Sequence, residues 1–287
     1  MLWISAIVAF IILVIGSITD FQKREVHDYV SYFLIFAAFG ISAVYSIISQ
    51  SLYIVQTAMG FLLGLGIAYA MFYLGQWGGG DSKLIMGLGA VFGFNISPMF
   101  GEKNLLFILL LASIIIAGAI YGLFYSIYLA IRHRKAFMQN IRKWSERKEI
   151  RNARIAMLCF LLVSALIIIF FVPREYKLML LSLIAVLFLI FYIWLFVKII
   201  EESCMIKQLP VSRLTEGDWI YRNVYIGKKY ITGPKDLGIT KEKIRILQKS
   251  KLKHVTIKEG IPFIPAFLIA FLLTVMMYYW KVPGIFF

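Results

Sequence analysis

Cysteine, histidine and acidic residues are all scarce in this 287-residue chain, and each shortage removes a class of chemistry. The two cysteines, Cys159 and Cys204, show no Cys-x-x-Cys spacing, so neither a disulfide framework nor a zinc site is indicated. The three histidines, His27, His133 and His254, fall in three separate polar segments and do not make one ligand set. No metal or other cofactor is expected. Only 15 Asp and Glu stand against 30 Lys and Arg, so a carboxylate at the end of an apolar helix needs an explanation. Basic residues are also missing ahead of the first apolar run. Lys23 and Arg24 follow it instead, as in a retained outside-to-inside anchor rather than a cleaved signal peptide.

What the chain has in excess is hydrophobicity: 61% of its residues, with a mean hydropathy of +0.83. That excludes an ordinary soluble globule and requires segments that span lipid. Runs of crossing length lie near 2–19, 29–48, 53–75, 105–130, 154–172, 178–199 and 262–281, with a shorter Gly-rich run at 82–98. The fold expected is an all-α polytopic membrane protein of about eight transmembrane helices with a small cytosolic α/β insert. The net charge of +15 marks topology rather than nucleic acid. With the amino terminus outside and all eight runs crossing, 26 of the 30 Lys and Arg fall on the inner side, and only Lys103, Arg174, Lys177 and Lys281 outside. The lipid bilayer is thus one partner and the cell membrane the expected location. Assembly with further copies of the chain stays open.

The chain divides into a transmembrane core over 1–130, a basic connection over 131–153, a helix pair over 154–200, a polar insert over 201–259 and a final helix over 260–287. Phe137, Met138, Ile141 and Trp144 recur at helical spacing within the basic connection, as in an amphipathic helix lying on anionic lipid. The insert alternates in strand fashion through Asp218–Ile226 and Lys229–Ile231. Thr240 then stands as an N-cap before a helix over 241–247.

Asp20 and Asp81 are the residues that carry chemistry. Asp81 ends Trp77-Gly78-Gly79-Gly80-Asp81, where three glycines leave the backbone open to an extended peptide and permit the turn before a helix. A plain glycine turn with a capping aspartate would look the same. Gly87, Gly89, Ala90 and Gly93, and Gly60 with Gly64, suit close helix packing. Asp20 closes a helix at the end whose dipole disfavours an anion, unless it lies in an ordinary solvated loop. If the two carboxyls meet, Asp81, favoured as carboxylate by its helix start, is the expected base and Asp20 the acid. Near the last helix, Gly260-Ile261-Pro262-Phe263-Ile264-Pro265 cannot form regular early hydrogen bonds; it is either an ordinary proline-led helix start or a segment that lines the cleft beside both aspartates.

Three passages resemble the prepilin and preflagellin (prearchaellin) peptidases, membrane aspartyl proteases named for a Gly-x-Gly-Asp motif. Asp20 with Lys23, Arg24, Val26 and Asp28 looks like the first aspartate box, although Val26-His27-Asp28 stands where bacterial members often have Ile-Pro-Asn or Ile-Pro-Asp. Gly78-Gly79-Gly80-Asp81-Ser82-Lys83-Leu84 looks like the second. Lys258–Leu268 resembles the approach to the last helix in archaeal members with a cytosolic insert. The resemblance implies an aspartic endopeptidase with Asp20 and Asp81 catalytic. It would cut the short basic leader from precursors with class III signal peptides, subunits of a type IV pilus or archaellum, at the cytoplasmic face. Gly78, Gly79, Gly80, Lys83, Asp28 and Glu25 are the expected substrate-contacting positions; on charge complementarity the acids Glu25, Asp28, Glu201 and Glu202 would receive the basic leader, unless each is an ordinary solvated loop charge. Amino-terminal methylation is not expected, because the first loop is only about nine residues and lacks four cysteines.

Two other readings stay open. The presenilin and signal-peptide-peptidase group shares Gly-x-Gly-Asp, but no Pro-Ala-Leu occurs here and Pro265-Ala266-Phe267 is a partial echo. A proton- or cation-coupled transporter would use the same carboxyls as ion sites, although no inverted repeat is visible.

Overall fold

A computed structural model describes residues 2–24, 26–95, 102–250 and 252–280; nothing is stated for the side chains of Leu2, Glu102 and Lys103. Among the described residues, six helices are long and apolar enough to cross a membrane. They are α1 (Leu2–Lys23), α2 (Asp28–Ile48), α3 (Tyr53–Tyr73), and, beyond the shorter α4 (Gly79–Phe92), α5 (Glu102–Arg132). Past α6 (Arg134–Glu146) come α7 (Lys148–Phe171) and α8 (Arg174–Ile200). These runs become helices because lipid offers a backbone no hydrogen-bond partner, so each must satisfy itself.

The count of eight full crossings is not met on length. The run at 82–98 is helical only as α4, 14 residues, and stops at Gly93 with φ 67°. That is about 21 Å of helix against a hydrocarbon layer of roughly 30 Å. Residues 96–98 lie outside the described residues. The last helix, after the insert, spans 16 residues at Ile264–Tyr279.

The chain forms two compact units, Met1–Gly122 with Leu209–Phe287, and Leu123–Gln208. In the first unit α3 and α4 touch backbone to backbone. A Cβ at Gly60 would collide with the carbonyl oxygen of Gly89, and one at Gly64 would lie 2.8 Å from that of Ile85. A Cβ at Gly87 would meet Leu34 of α2 at 2.8 Å. The glycine faces read from the sequence are therefore packing faces, and they seat α4 against α2 and α3. Leu13, Leu34, Leu84, Leu88, Leu110 and Phe267 are wholly buried around it.

In the second unit the basic connection is helical, as α6, but its apolar residues do not simply face lipid. Phe137, Ile141 and Trp144 pack with Ile150, Leu195 and Ile199, and only Met138 of the four stays exposed. Trp144 Nε1 donates to Glu202 at 2.7 Å, so a tryptophan with a polar edge finds its partner within the protein. Glu202 also takes Arg147 at 3.0 Å, and Glu201 takes Lys198 at 3.1 Å.

The insert holds a three-stranded sheet in the order β1 (Ile206–Pro210), β5 (His254–Lys258), β2 (Trp219–Ile220), with Ile220 opposite Ile257 in antiparallel register. A separate hairpin joins β3 (Val224–Ile226) to β4 (Lys229–Thr232). The single strand expected over 218–226 is thus broken at Tyr221-Arg222-Asn223, and its halves serve different sheets. The helix expected at 241–247 is present as α9 (Lys241–Gln248), with the Thr240 hydroxyl accepting from Lys243 N–H at 3.5 Å. The helix at Ile264–Tyr279 is α10.

Candidate active site

Asp20 lies in the last turn of α1, one turn beyond Gly16. The absent side chain at Gly16 lets α10 approach, since a Cβ there would stand 3.3 Å from Ile264 Cγ2 and 3.9 Å from Leu84. Asp20 is consequently buried at 7% exposure and is not a solvated loop residue. Its own helix end offers it only carbonyls, but the start of α10 does the opposite. Ile264 N–H donates to Asp20 Oδ2 at 3.0 Å. A helix amino terminus supplies unpaired N–H groups and partial positive charge, so a carboxyl belongs there.

Asp81 occupies the third position of α4. Its Oδ2 accepts from the Gly78 N–H at 3.1 Å, closing the glycine turn back on the helix it opens. Each glycine has its own surroundings. Gly79 is exposed with nothing within 4 Å of an added Cβ, whereas one at Gly80 would meet Val26 at 3.1 Å, pressing the second aspartate segment against the first. Trp77 is buried edge-on against Phe267 at 5.4 Å, so α10 braces the turn from the other side. These contacts set the segment that carries Asp81 against the segment that follows Asp20.

Lys83 and Asp28 tie the same two segments together at 2.5 Å, with Lys83 Nζ also 5.4 Å from the centre of the Tyr32 ring. Asp28 remains 65% exposed. Glu25 lies outside the described residues. Glu201 and Glu202 belong to the other unit and carry the partners named above. The irregular lead-in to α10 reaches Asp20 through the Ile264 N–H, with Pro262 and Pro265 buried. Sequence reading placed Arg24 in the first aspartate box without a role, and missed three contributors: the Ile264 N–H, and Trp219 and Leu237 of the insert. The last two would contact a Cβ at Gly75, at the head of the glycine turn, at 3.4 and 4.0 Å. Among the described residues, no three His, Cys, Asp or Glu side chains gather as a metal site would require.

Residues 7–126, which include both aspartates, match the type IV leader peptidase family. A preflagellin peptidase of Methanocaldococcus jannaschii is 39% identical over 133 residues, 45% of this chain and 55% of that relative. A preflagellin peptidase of Methanococcus maripaludis is 42% identical over 82 residues, 28% of this chain and 34% of that relative. The chain therefore spans about half the length of the first relative and a third of the second. The likeness to type IV leader and preflagellin peptidases thus lies in this stretch. No solved structure matches the chain at a significant level.

Proposed function

We propose, from a helical core matched to the type IV leader peptidase family over residues 7–126, that this chain is a membrane aspartyl endopeptidase. It removes the short basic leader from preflagellin-like precursors at the cytoplasmic face. What supports the reading is that Asp20 and Asp81 come from separate helices whose adjoining segments touch at Val26 and Gly80, and that each spends an oxygen on a backbone N–H. A carboxyl pair sharing one proton can activate water without a covalent intermediate. One carboxylate takes a proton from water as its oxygen attacks the scissile carbonyl carbon. The protonated partner gives its proton to the carbonyl oxygen. Collapse of the tetrahedral diol breaks the C–N bond: the departing nitrogen takes a proton from the first carboxyl while a diol hydroxyl gives its proton to the second, so both aspartates end the turnover as they began it.

The precursor's helix must open to expose its scissile bond. The open backbone at Gly79 and the irregular segment 260–263 are surfaces along which an extended strand can lie. Asp28 stands on the rim, held by Lys83 in the free protein; an arriving basic side chain exchanges for that lysine. An outer amino terminus with all eight runs crossing puts 26 of 30 Lys and Arg on the inner side, and that asymmetry supports a cytoplasmic site.

The test is cleavage, in detergent or lipid nanodiscs, of a synthetic peptide joining a short basic leader to an apolar segment. A single cut at that junction is expected. Asp20→Asn and Asp81→Asn should each lower kcat by roughly 1000-fold without changing membrane insertion. Near-full activity in either variant removes that residue from the mechanism.

A further inference from the structure

Arg24 stands where helix geometry calls for a different residue. It follows the last residue of α1, and its φ of 58° is the left-handed conformation in which helices commonly end on glycine. Its N–H returns to the Asp20 carbonyl at 3.0 Å, so this backbone turn fixes the very turn that carries the carboxyl. Glycine would do that without the strain a Cβ brings at positive φ. The side chain supplies the reason for an arginine. Its Nη1 donates to the Gly260 carbonyl at 2.6 Å.

Asp20 and Arg24 are four residues apart on one strand of the arrangement, Gly260 and Ile264 four apart on the other. The Arg24–Gly260 bond closes one end and the Ile264–Asp20 bond the other. Between Gly260 and Ile264 the chain is irregular, and Pro262 and Pro265 provide no N–H to hold it by helical bonds of its own. Something outside the segment must fix its position. We propose that Arg24 is a positioning residue: it pins the 260–264 segment so that the first N–H of α10 stays aimed at the Asp20 carboxyl. The proposal rests on the catalytic reading of Asp20.

The experiment compares Arg24→Gly with Arg24→Lys in the full-length protein, using leader-peptide cleavage, thermal unfolding and disulfide trapping. Glycine keeps the turn and relieves its backbone but loses the side chain, whereas lysine keeps a cation that can reach the carbonyl. Trapping uses Gly16→Cys with Ile264→Cys in a chain whose Cys159 and Cys204 are serine, and reports where α10 begins independently of activity. For Arg24→Gly we expect an unfolding temperature no lower than that of the parent, kcat down at least ~10-fold with KM within about twofold, and trapping reduced several-fold. Arg24→Lys should recover part of both losses. Parental kcat or parental trapping in Arg24→Gly overturns the proposal, as does a kcat loss that merely follows a lower unfolding temperature. Full activity of Asp20→Asn in the same assay would instead sink the catalytic reading, and trapping alone would then decide whether Arg24 locates the segment.

Discussion

At Gly60 and Gly89 the absence of a side chain is what allows α4 to reach its place, because a Cβ on either residue would overlap the other's carbonyl oxygen. Since α4 carries Asp81 in its first turn, spacing at this crossing sets where that carboxyl lies. Gly89→Ala should destabilise the core by about 1–3 kcal/mol and depress cleavage in parallel, whereas Gly66→Ala, which has nothing within 4 Å, should do neither. Thermal unfolding in detergent beside the peptide assay checks both. The small-residue spacing made this contact legible in the sequence, because helical period alone puts Gly60 with Gly64 and brings Gly89 to the facing side. The partner of Asp20 was not legible in the same way. The group that holds it is a main-chain N–H, which every residue but proline has, and no residue type announces which one will be used. Arg24 left a faint signal, a long cation immediately after a helix end, but its conformation had to be seen before the residue looked out of place.

Among the elements, the insert is where strand alternation misled: Trp219-Ile220 and Val224-Tyr225-Ile226 keep the period of two, yet they pair in different sheets. Periodicity records which face is buried and says nothing about partners. The turn after β4 is held by one acid. Partial burial alone would raise the Asp236 carboxyl, but Lys243 at 2.8 Å and the Gly233 N–H at 3.2 Å outweigh it and hold the group below the ordinary carboxylate range. A depressed folded value means stability that is complete above the unfolded value, near 3.9, and lost as pH falls through the lower folded one. Amide exchange across 233–248 in the intact protein, corrected for intrinsic rates, should therefore speed up between about pH 5 and pH 3. Asp236→Asn should already be less protected at neutral pH and show a flatter acid response. Wild-type acid sensitivity in that variant would assign the response to another group.

For the whole molecule, the apolar runs gave six long helices their places to within a few residues, since 20 consecutive apolar side chains leave lipid as the only solvent. The shorter α4 weakens any side assignment made by counting crossings, so cation placement carries it. With single cysteines in a chain whose native cysteines are serine, Lys23→Cys and Lys228→Cys should resist an impermeant thiol reagent added outside intact cells, and Lys177→Cys should react. Labelling of Lys23→Cys and Lys228→Cys from opposite sides would show that the chain crosses an odd number of times between them. The bond from Ile264 to Asp20 also has a consequence in time. Its two ends are separated by 244 residues, so at roughly 5–20 residues per second the first aspartate waits some 12–50 seconds of translation for the group that seats it. During that interval Asp20 has left the ribosome without its partner, and so the apolar helices that lie between are made before the carboxyl is seated.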